Sequence, residues 1–422
     1  MKHSRRSVGN RYKLLKAVKN EVTARLEQSL HNSVRIMLLK ETSPQPMQRL
    51  WDVDVKIGKR SAFQLKREVS IAQVFAQTGG KLMILGTPGS GKTTTILELA
   101  SELISRAEND VEKPLPVLFN LSAWQPKHEN IADWLVAELK SKYKIGNKVS
   151  KKWIKEKQLL PLLDGLDELE ASQRELCLKA VNQLLEGEKA LKHLVISSRL
   201  EEYKNSQTKL KLHGAIYLRP LNPDRIREYL MASRSRELWE NIKTEPQLLD
   251  LARTPLLLNM MALAYEEILI HAWKRITSKR ERYEYLLNAY VRRMLTQNID
   301  SKLYPRGKEP RPETMRQWLI WLAKKMYQLN QQEVAIEKLD RNWLETNSQK
   351  RLYRLGVFLT LGGIMGVKKL ILRFVMWRNG YIAWNYRRFL NLATERLFLQ
   401  KVDGRYRFVH ELLQKHFAQM EK

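Results

Sequence analysis

Short apolar runs alternate with longer helical patterns through the middle of the chain. The runs are three to five residues long and contain no charged residue, which is typical of strands buried on both faces of a parallel sheet. They occupy residues 82–85, 117–121, 159–163, 194–197 and 216–218. The helical patterns between them, at 92–106, 131–144 and 172–186, are long enough to connect parallel strands. The pattern predicts an α/β core with a parallel five-stranded sheet and helices on both faces.

The segments on either side of this core have helical patterns. Apolar residues at helical spacing over 11–40 predict an amphipathic helix, which the Pro-containing stretch at 42–46 ends. After residue 223 the strand signals stop and helical patterns continue. We therefore expect four domains. They are a basic helical N-terminal extension (1–75), the α/β core (76–222), a helical domain (223–300) and a C-terminal region (301–422).

The longest uncharged apolar run, residues 355–367, is too short to span a bilayer. Lys368, Lys369 and Arg373 follow it. A longer span would bury these cations in hydrocarbon at about 2.5–3.5 kcal/mol each. We predict a buried or interfacial apolar hairpin at 355–377 instead.

The charge of the chain restricts its partners. It has 75 Lys and Arg against 45 Asp and Glu, a formal net charge of +30, which suits phosphates, nucleic acid or anionic membrane. The single cysteine, Cys177, excludes an internal disulfide framework and fits a reducing compartment. The N-terminal residues are rich in Lys and Arg and lack the apolar centre of a signal peptide. We expect a cytoplasmic protein, with the inner face of the membrane as an alternative location.

A phosphate-binding pattern directly follows the first predicted core strand. It fits G-x-x-x-x-G-K-[ST], whose backbone N–H groups and helix N-terminus bind phosphates. Its lysine is expected to reach the β- and γ-phosphates, and its threonine hydroxyl to bind Mg²⁺. The predicted nucleotide-binding residues are Gly86, Thr87, Pro88, Gly89, Ser90, Gly91, Lys92, Thr93 and Thr94.

Acidic and basic residues follow two other predicted strands. Asp164 ends the run at 159–163 and is the expected second partner of the magnesium ion, with Thr93. Glu168, or as second choice Asp167, is placed to orient the attacking water or accept its proton. Arg199 follows residues 194–197 and would contact the γ-phosphate. The alternative is that these acids cap the next helix or solvate the turn, and that Arg199 is a surface arginine.

Together these motifs resemble the NACHT branch of the STAND signalling ATPases. The resemblance rests on the phosphate loop, the acidic cluster at 164–168 with the small Gly165, and Ser198 with Arg199. Residues 116–124 look like the family's second strand, and 253–258 like the start of its helix with a conserved proline. The resemblance extends over about residues 10–422. In similar bacterial proteins, membrane-spanning helices interrupt the C-terminal region, and here that insertion is reduced to 355–377.

The resemblance implies two further nucleotide contacts and a fold for the C-terminal region. Pro255 would pack against adenine. Residues 406–418 are similar to a winged-helix motif, in which His410 would contact the β-phosphate of ADP and lock the resting state. The alternative for His410 is an ordinary histidine on an amphipathic helix.

The leading functional hypothesis is a signalling switch that binds and slowly hydrolyses ATP, with GTP left open, and requires Mg²⁺. ADP would hold a closed state, and ATP would permit self-association. One alternative is a nucleic-acid-handling ATPase, which the net charge and the basic N-terminus favour. The other is an effector at an anionic membrane surface, with the apolar hairpin as its contact.

Overall fold

A computed structural model gives the fold of this chain. It describes residues 2–30, 32, 34, 52–58, 61–66, 68–126, 130–187, 190–268, 270–299, 301–305, 307–329, 331–336, 339–359, 365–402 and 404–421. The chain divides into two compact units. The first comprises Met1–Glu27 and Arg35–Asn259, and the second comprises Gln28–Val34 and Met260–Lys422. The sequence-based boundary at 222/223 therefore differs from the observed division, which falls within a helix.

A seven-stranded sheet forms the centre of the first unit. Its strands are β1 (Val53–Ile57), β2 (Phe63–Gln64), β3 (Lys81–Gly86), β4 (Leu115–Asn120), β5 (Leu159–Asp164), β6 (Leu194–Arg199) and β7 (Gly214–Leu218). Their spatial order is β2-β1-β7-β3-β6-β5-β4. The five predicted strands correspond to β3 to β7 and are parallel. The prediction of a parallel P-loop core is confirmed.

Strands β1 and β2 extend this sheet and lie in the segment predicted to be a helical extension. β1 pairs antiparallel with β7, with Val53 opposite Leu218 and Ile57 opposite Gly214. The sequence of β1, Val-Asp-Val-Lys-Ile, alternates apolar and polar residues, and Val53 and Val55 are buried. This alternation is the pattern of a strand with one buried face. It was missed because the strand is short.

Strands β3 to β6 are buried at consecutive positions, which is typical of a sheet covered on both faces. Most of the helices of the first unit alternate with the strands along the chain. In chain order, they are α1 (Lys2–Glu27), α2 (Ile71–Gln77), α3 (Lys92–Asn109), α4 (Ile131–Tyr143), α5 (Asn147–Lys155), α6 (Ala171–Leu185), α7 (Leu200–Lys204), α8 (Pro223–Ala232), α9 (Arg236–Thr244), α10 (Pro246–Ala252) and α11 (Pro255–Ala264). Cys177 is fully buried on α6, and burial raises the pKa of its thiol to about 12. The thiol is therefore a core group.

The N-terminal helix α1 packs against α3 and β4. The helix predicted over 11–40 begins at Lys2 and ends at Glu27, and residues 35–40 lie outside the described part. Leu14, Val18 and Val22 are buried along one face, at the spacing expected of an amphipathic helix. Arg11 donates a hydrogen bond to the carbonyl of Ala107 at the C-terminal end of α3. Apolar packing and capping together fix α1 on the first unit.

The second unit is mainly helical and contains a small antiparallel sheet. Its further elements are α12 (Ile270–Arg275), α13 (Lys279–Thr296), α14 (Pro312–Gln328), β8 (Val334–Ala335), α15 (Asn347–Leu359), α16 (Met365–Arg378), α17 (Tyr386–Glu395), β9 (Leu399–Val402), β10 (Arg405–Phe408) and α18 (Glu411–Gln419). The strand order is β8-β10-β9. Helices α17 and α18 flank the β9–β10 hairpin in sequence, which agrees with the predicted winged-helix-like region.

The described residues of the apolar stretch at 355–377 lie on α15 and α16, which pack against each other, and residues 360–364 lie outside the described part. Large apolar side chains on these helices point to solvent, including Leu355, Phe358 and Leu370. Within the described part of the chain, no helix has both the length and the hydropathy that a membrane span needs.

Candidate functional site

The phosphate loop connects β3 to α3, as predicted. Gly89 has φ +73° and Gly91 has φ +95°, a backbone region that side chains rarely adopt. Gly86 is packed so closely that a Cβ atom there would lie 2.3 Å from Ser90 Oγ. The loop therefore needs glycine at these positions. Its last residue leads directly into α3, whose first N–H groups have no partner within the helix.

Lys92, the first residue of α3, folds back over this loop. Its Nζ donates hydrogen bonds to the carbonyl oxygens of Gly86 (3.3 Å) and Thr87 (3.1 Å). Burial lowers the pKa of the Lys92 ammonium, and the nearby carboxylate of Asp167 opposes that shift. The ammonium is thus held at the mouth of the loop, where phosphate oxygens would replace the carbonyls as its partners.

Asp164 is held by two hydroxyl groups. Thr93 Oγ1 donates to Asp164 Oδ2 at 2.8 Å, and Ser197 Oγ donates to Asp164 Oδ1 at 2.5 Å. Ser197 Oγ also accepts a hydrogen bond from the backbone N–H of Gly165 at 3.2 Å. The two residues predicted to hold magnesium, Thr93 and Asp164, are therefore in direct contact. Ser197 is not among the residues predicted from the sequence, although its place at the end of an apolar strand was the available signal.

Arg199 and Asp167 form an ion pair beside the phosphate loop. Arg199 Nε lies 2.7 Å from Asp167 Oδ2, and Arg199 Nη1 lies 3.4 Å from Glu202 Oε1. Arg199 is opposite Gly86 in the β3–β6 register, so strand pairing brings it to the start of the loop. Burial raises the pKa of Asp167, and the cations Lys92 and Arg199 oppose this shift. Asp167, with only 7% of its side chain exposed, is more enclosed than Glu168.

Glu168 lies over Gly165, which has φ +85°. A Cβ atom at Gly165 would be 2.8 Å from Glu168 Oε2 and 3.2 Å from Asn120 Oδ1. The small residue after Asp164 therefore leaves room for the carboxylate of Glu168 at the end of the sheet. Both candidate acids remain near the strand ends, one paired with Arg199 and one exposed.

Pro255 lies next to the phosphate loop within the same unit. The backbone N–H of Leu256 donates to the carbonyl of Gly89 at 3.2 Å, and Pro255 itself is buried. The backbone N–H of Leu221 donates to the carbonyl of Arg253 at 2.8 Å, which ties the same segment to the residues after β7. The structure thus brings Pro255 to the site, and its contact with adenine stays a prediction.

His410 belongs to the second unit and caps the N-terminus of α18. Its Nδ1 accepts a hydrogen bond from the backbone N–H of Leu412 at 3.1 Å. The predicted contact between His410 and a β-phosphate stays a prediction.

The residues around the loop fit a magnesium-bound nucleotide. Ser90 Oγ is buried and has no hydrogen-bond partner in the described part of the chain, so the loop holds a polar atom that a phosphate could satisfy. Thr93 and Asp164 offer the hard oxygen atoms that Mg²⁺ prefers. The described residues include no group of three or more His, Cys, Asp or Glu that could hold a metal ion by themselves.

A family model described as NACHT domain matches residues 81–237. This segment is similar to NACHT domains. The family is one of P-loop NTPases, and the match includes the phosphate loop, the acidic cluster and Arg199. The match ends within α9, so Pro255 and His410 lie beyond the matched residues.

Distant likenesses to solved structures extend over most of the chain. No curated protein matches it. Similar solved structures include Cdc6p from Pyrobaculum aerophilum, at 12% identity over 80% of this chain and 87% of that chain, with a TM-score of 0.31. The Orc1 protein of Aeropyrum pernix, solved in complex with DNA, has 13% identity over 91% and 96%, with a TM-score of 0.36. A Walker-type ATPase of Pyrococcus abyssi has 11% identity over 83% and 95%, with a TM-score of 0.32. Likenesses this distant carry no argument about function.

The contact between Gly89 and the Pro255 segment leads to a prediction. We expect Gly89→Ala to lower the free energy of unfolding by more than Gly187→Ala does. Both residues have positive φ, which costs alanine about 1–2 kcal/mol. Only at Gly89 would the Cβ meet Leu256 Cβ and Thr254 Cγ2, each at 3.0 Å, whereas Gly187 has open space around it. Urea unfolding measures both variants, and equal losses would contradict the close packing of the loop against α11.

Proposed function

We propose that this protein is a nucleotide-dependent signalling switch that binds and slowly hydrolyses ATP. The observation that carries this proposal is the contact of Thr93 with Asp164, beside Lys92 and the phosphate loop of a NACHT domain. Bound ADP stabilises a closed state, and bound ATP permits self-association. GTP is the competing nucleotide, and the contacts described so far favour neither base.

Each side chain at the strand ends has a distinct role in this proposal. Lys92 turns from the carbonyls of Gly86 and Thr87 to the β- and γ-phosphates. Thr93 and Asp164 would hold the magnesium ion, which would supply positive charge for the phosphate oxygens.

Hydrolysis requires a group that orients the attacking water or accepts its proton. Because burial raises the pKa of Asp167, this carboxylate is a stronger base than an exposed one, and it lies close to the loop. Its ion pair with Arg199 occupies the same carboxylate, which suits slow turnover. Glu168 is more exposed than Asp167 and is the alternative base. Arg199 would leave Asp167 for the γ-phosphate when ATP is bound.

A switch needs contacts that differ between its two nucleotide states, since a ligand shifts an equilibrium only by its differential affinity. We assign the γ-phosphate contact to Arg199 and the β-phosphate contact of the ADP state to His410. Pro255 packs against the base in both states. The hydrogen bond between Leu256 and Gly89 supports this assignment, because it couples the loop to the helix that leads into the second unit.

Replacing Lys92 by Ala or Asp164 by Asn should weaken binding of magnesium nucleotide. Each change removes a charged partner of the phosphates or the ion, and such contacts contribute about 1.5–3 kcal/mol, or roughly 10- to 100-fold in affinity. Titration calorimetry with Mg·ADP and a non-hydrolysable ATP analogue measures this. Lys148→Ala, which removes an exposed lysine of α5, should bind as the unmodified chain does.

Unchanged nucleotide affinity in the Lys92→Ala protein would contradict the proposal. Mass spectrometry of the nucleotide retained on purification separates ADP from GDP. Hydrolysis that nucleic acid stimulates, with a steep decrease at higher salt, would instead favour the nucleic-acid-handling alternative. That alternative is supported by the net charge of +30.

Two substitutions at His410 separate a phosphate contact from a capping role. Asparagine can still accept the hydrogen bond that caps α18, whereas alanine cannot. If the imidazole locks the ADP state, both His410→Asn and His410→Ala should release ADP faster and self-associate at lower ATP-analogue concentration. Light scattering with gel filtration measures assembly, and His271→Ala, at an exposed histidine, is the control. A His410→Asn protein that stays monomeric and ADP-bound would reject the lock.

The second candidate function is binding to an anionic membrane surface through α15 and α16. Phe358 is 80% exposed, and Phe374, Trp377 and Trp384 are also exposed at the other helix and just beyond it. Trp377 and Trp384 contact each other edge to face at 5.3 Å, and Arg373 lies 5.0 Å over the Trp384 ring. Aromatic rings bordered by cations are typical of interfacial binding. In this proposal, the hairpin holds the switch at the inner face of the membrane.

Liposome flotation tests this second candidate. The unmodified chain should float with vesicles that contain phosphatidylserine and remain unbound with zwitterionic vesicles. The double variant Phe358→Ser, Trp377→Ser should lose flotation, since it removes two exposed rings that would enter the interface. Tyr327→Ser, at a ring that is 63% exposed on α14, should float normally. Failure of the unmodified chain to float would remove membrane binding from the proposal.

A further inference from the structure

Helix α1 buries two charged side chains near the nucleotide site. Glu21 is 3% exposed and Arg25 is 8% exposed, although α1 lies outside the residues of the NACHT match. Burying a charge costs free energy unless a partner compensates it. A helix that only covered the sheet would not need this pair. The groups that contact Glu21 and Arg25 therefore indicate the role of this buried pair.

The charged groups around Glu21 and Arg25 form a continuous series of ion pairs in which positive and negative side chains alternate. Lys142 Nζ lies 2.6 Å from Glu21 Oε1, and Tyr143 donates to Glu21 Oε2 at 2.7 Å. Arg25 Nη1 lies 3.6 Å from Glu21 Oε1, and Arg25 Nη2 lies 3.9 Å from Asp164 Oδ2. This series of ion pairs runs from Lys142 on α4 through α1 to Asp164, the acid that contacts Thr93.

Arg25 is held by charge more than by hydrogen bonds. Both of its ion-pair distances exceed the usual length of an N–H···O hydrogen bond. Its Nε atom is buried and has no hydrogen-bond partner among the described residues. Arg25 therefore has an unused donor and no well-formed hydrogen bond to either acid. It can change partners without breaking such a bond.

Asp164 Oδ2 is the oxygen that both Thr93 and Arg25 approach. A magnesium ion bound at Thr93 would share this carboxylate with a second cation, and like charges at such short range repel each other. We propose that Arg25 and Mg²⁺ compete for Asp164, so that binding of magnesium nucleotide displaces Arg25 and changes the position of the C-terminal end of α1. This inference depends on the proposed nucleotide site.

The position of Arg25 in the chain gives this displacement a consequence. Gln28, three residues later, belongs to the second unit. There, the backbone N–H of Lys401 donates to Gln28 Oε1 at 2.7 Å, and Gln400 Nε2 donates to the carbonyl of Gln28 at 3.0 Å. The end of α1 therefore continues directly into a segment fixed to β9. A shift of Arg25 would be transmitted along the backbone to the winged-helix-like region.

The test is a magnesium titration of the full chain with a fluorescent ADP analogue at fixed concentration. Arg25→Gln should lower the half-saturating Mg²⁺ concentration by roughly tenfold, because the competing charge is gone while the side chain remains polar and of similar length. Arg25→Lys keeps the charge and should titrate close to the unmodified chain. Lys19→Gln, which removes an exposed cation of α1 that pairs with Glu108, is the matched control.

A second measurement does not depend on any variant folding. In the unmodified chain, hydrogen exchange at the amides of residues 22–27 should change when Mg²⁺ is added to the ADP-bound protein, and exchange in α6 should not. A half-saturating Mg²⁺ concentration that is equal or higher in folded Arg25→Gln would overturn the competition. Unchanged exchange at 22–27 would overturn the displacement of α1. If the unmodified chain binds no nucleotide at all, both this inference and the proposed function are wrong, whereas normal binding with no effect at Arg25 rejects the inference alone.

Discussion

The position of one carboxylate, Asp164, determines how the nucleotide site is built. Asp164 lies on β5, whereas the phosphate loop follows β3, and β6 lies between these two strands in the sheet. Ser197 of that intervening strand donates to one oxygen of Asp164, and Thr93 of α3 donates to the other. Three neighbouring strand ends must therefore keep their register for the acid to face the loop. The buried apolar strands and their covering helices provide that register.

Charge balance around the loop follows from the same arrangement. Lys92 and Arg199 both lie near Asp167. Burial raises the pKa of Asp167 and lowers the pKa of Lys92. Lys92 and Arg199 balance the charge of Asp167, and both cations would gain a further anionic partner when a polyanion enters. This charge balance supports the proposed discrimination between nucleotide states.

Much of this architecture could be predicted from the sequence, because it depends on local patterns. Uncharged apolar runs identified β3 to β7, and the glycines and Lys92 identified the loop that joins β3 to α3. Asp164 and Thr93 could be expected to lie close together because each ends or begins an element at the same edge of the sheet. Such inferences need only periodicity and the geometry of parallel strands.

Other features depend on contacts between residues far apart in sequence. Ser197 looked like an ordinary strand residue, and only strand pairing placed its hydroxyl against Asp164. Arg25 was one of many cations in a basic segment, and only the packing of α1 across α3 and β4 revealed its position. Strand β1 is five residues long and alternates polarity, so without its partner β7 it resembled a loop in a helical extension.

The added strand β1 has a practical consequence for the design of shorter fragments of this chain. Residues 81–237 include every parallel strand, and a fragment of that length would seem a natural unit for expression. Without β1, however, β7 would present unpaired N–H and C=O groups along its open side, and such a side invites pairing between molecules. The segment before the phosphate loop thus protects the sheet from aggregation, and the shortest well-behaved fragment should begin ahead of Val53.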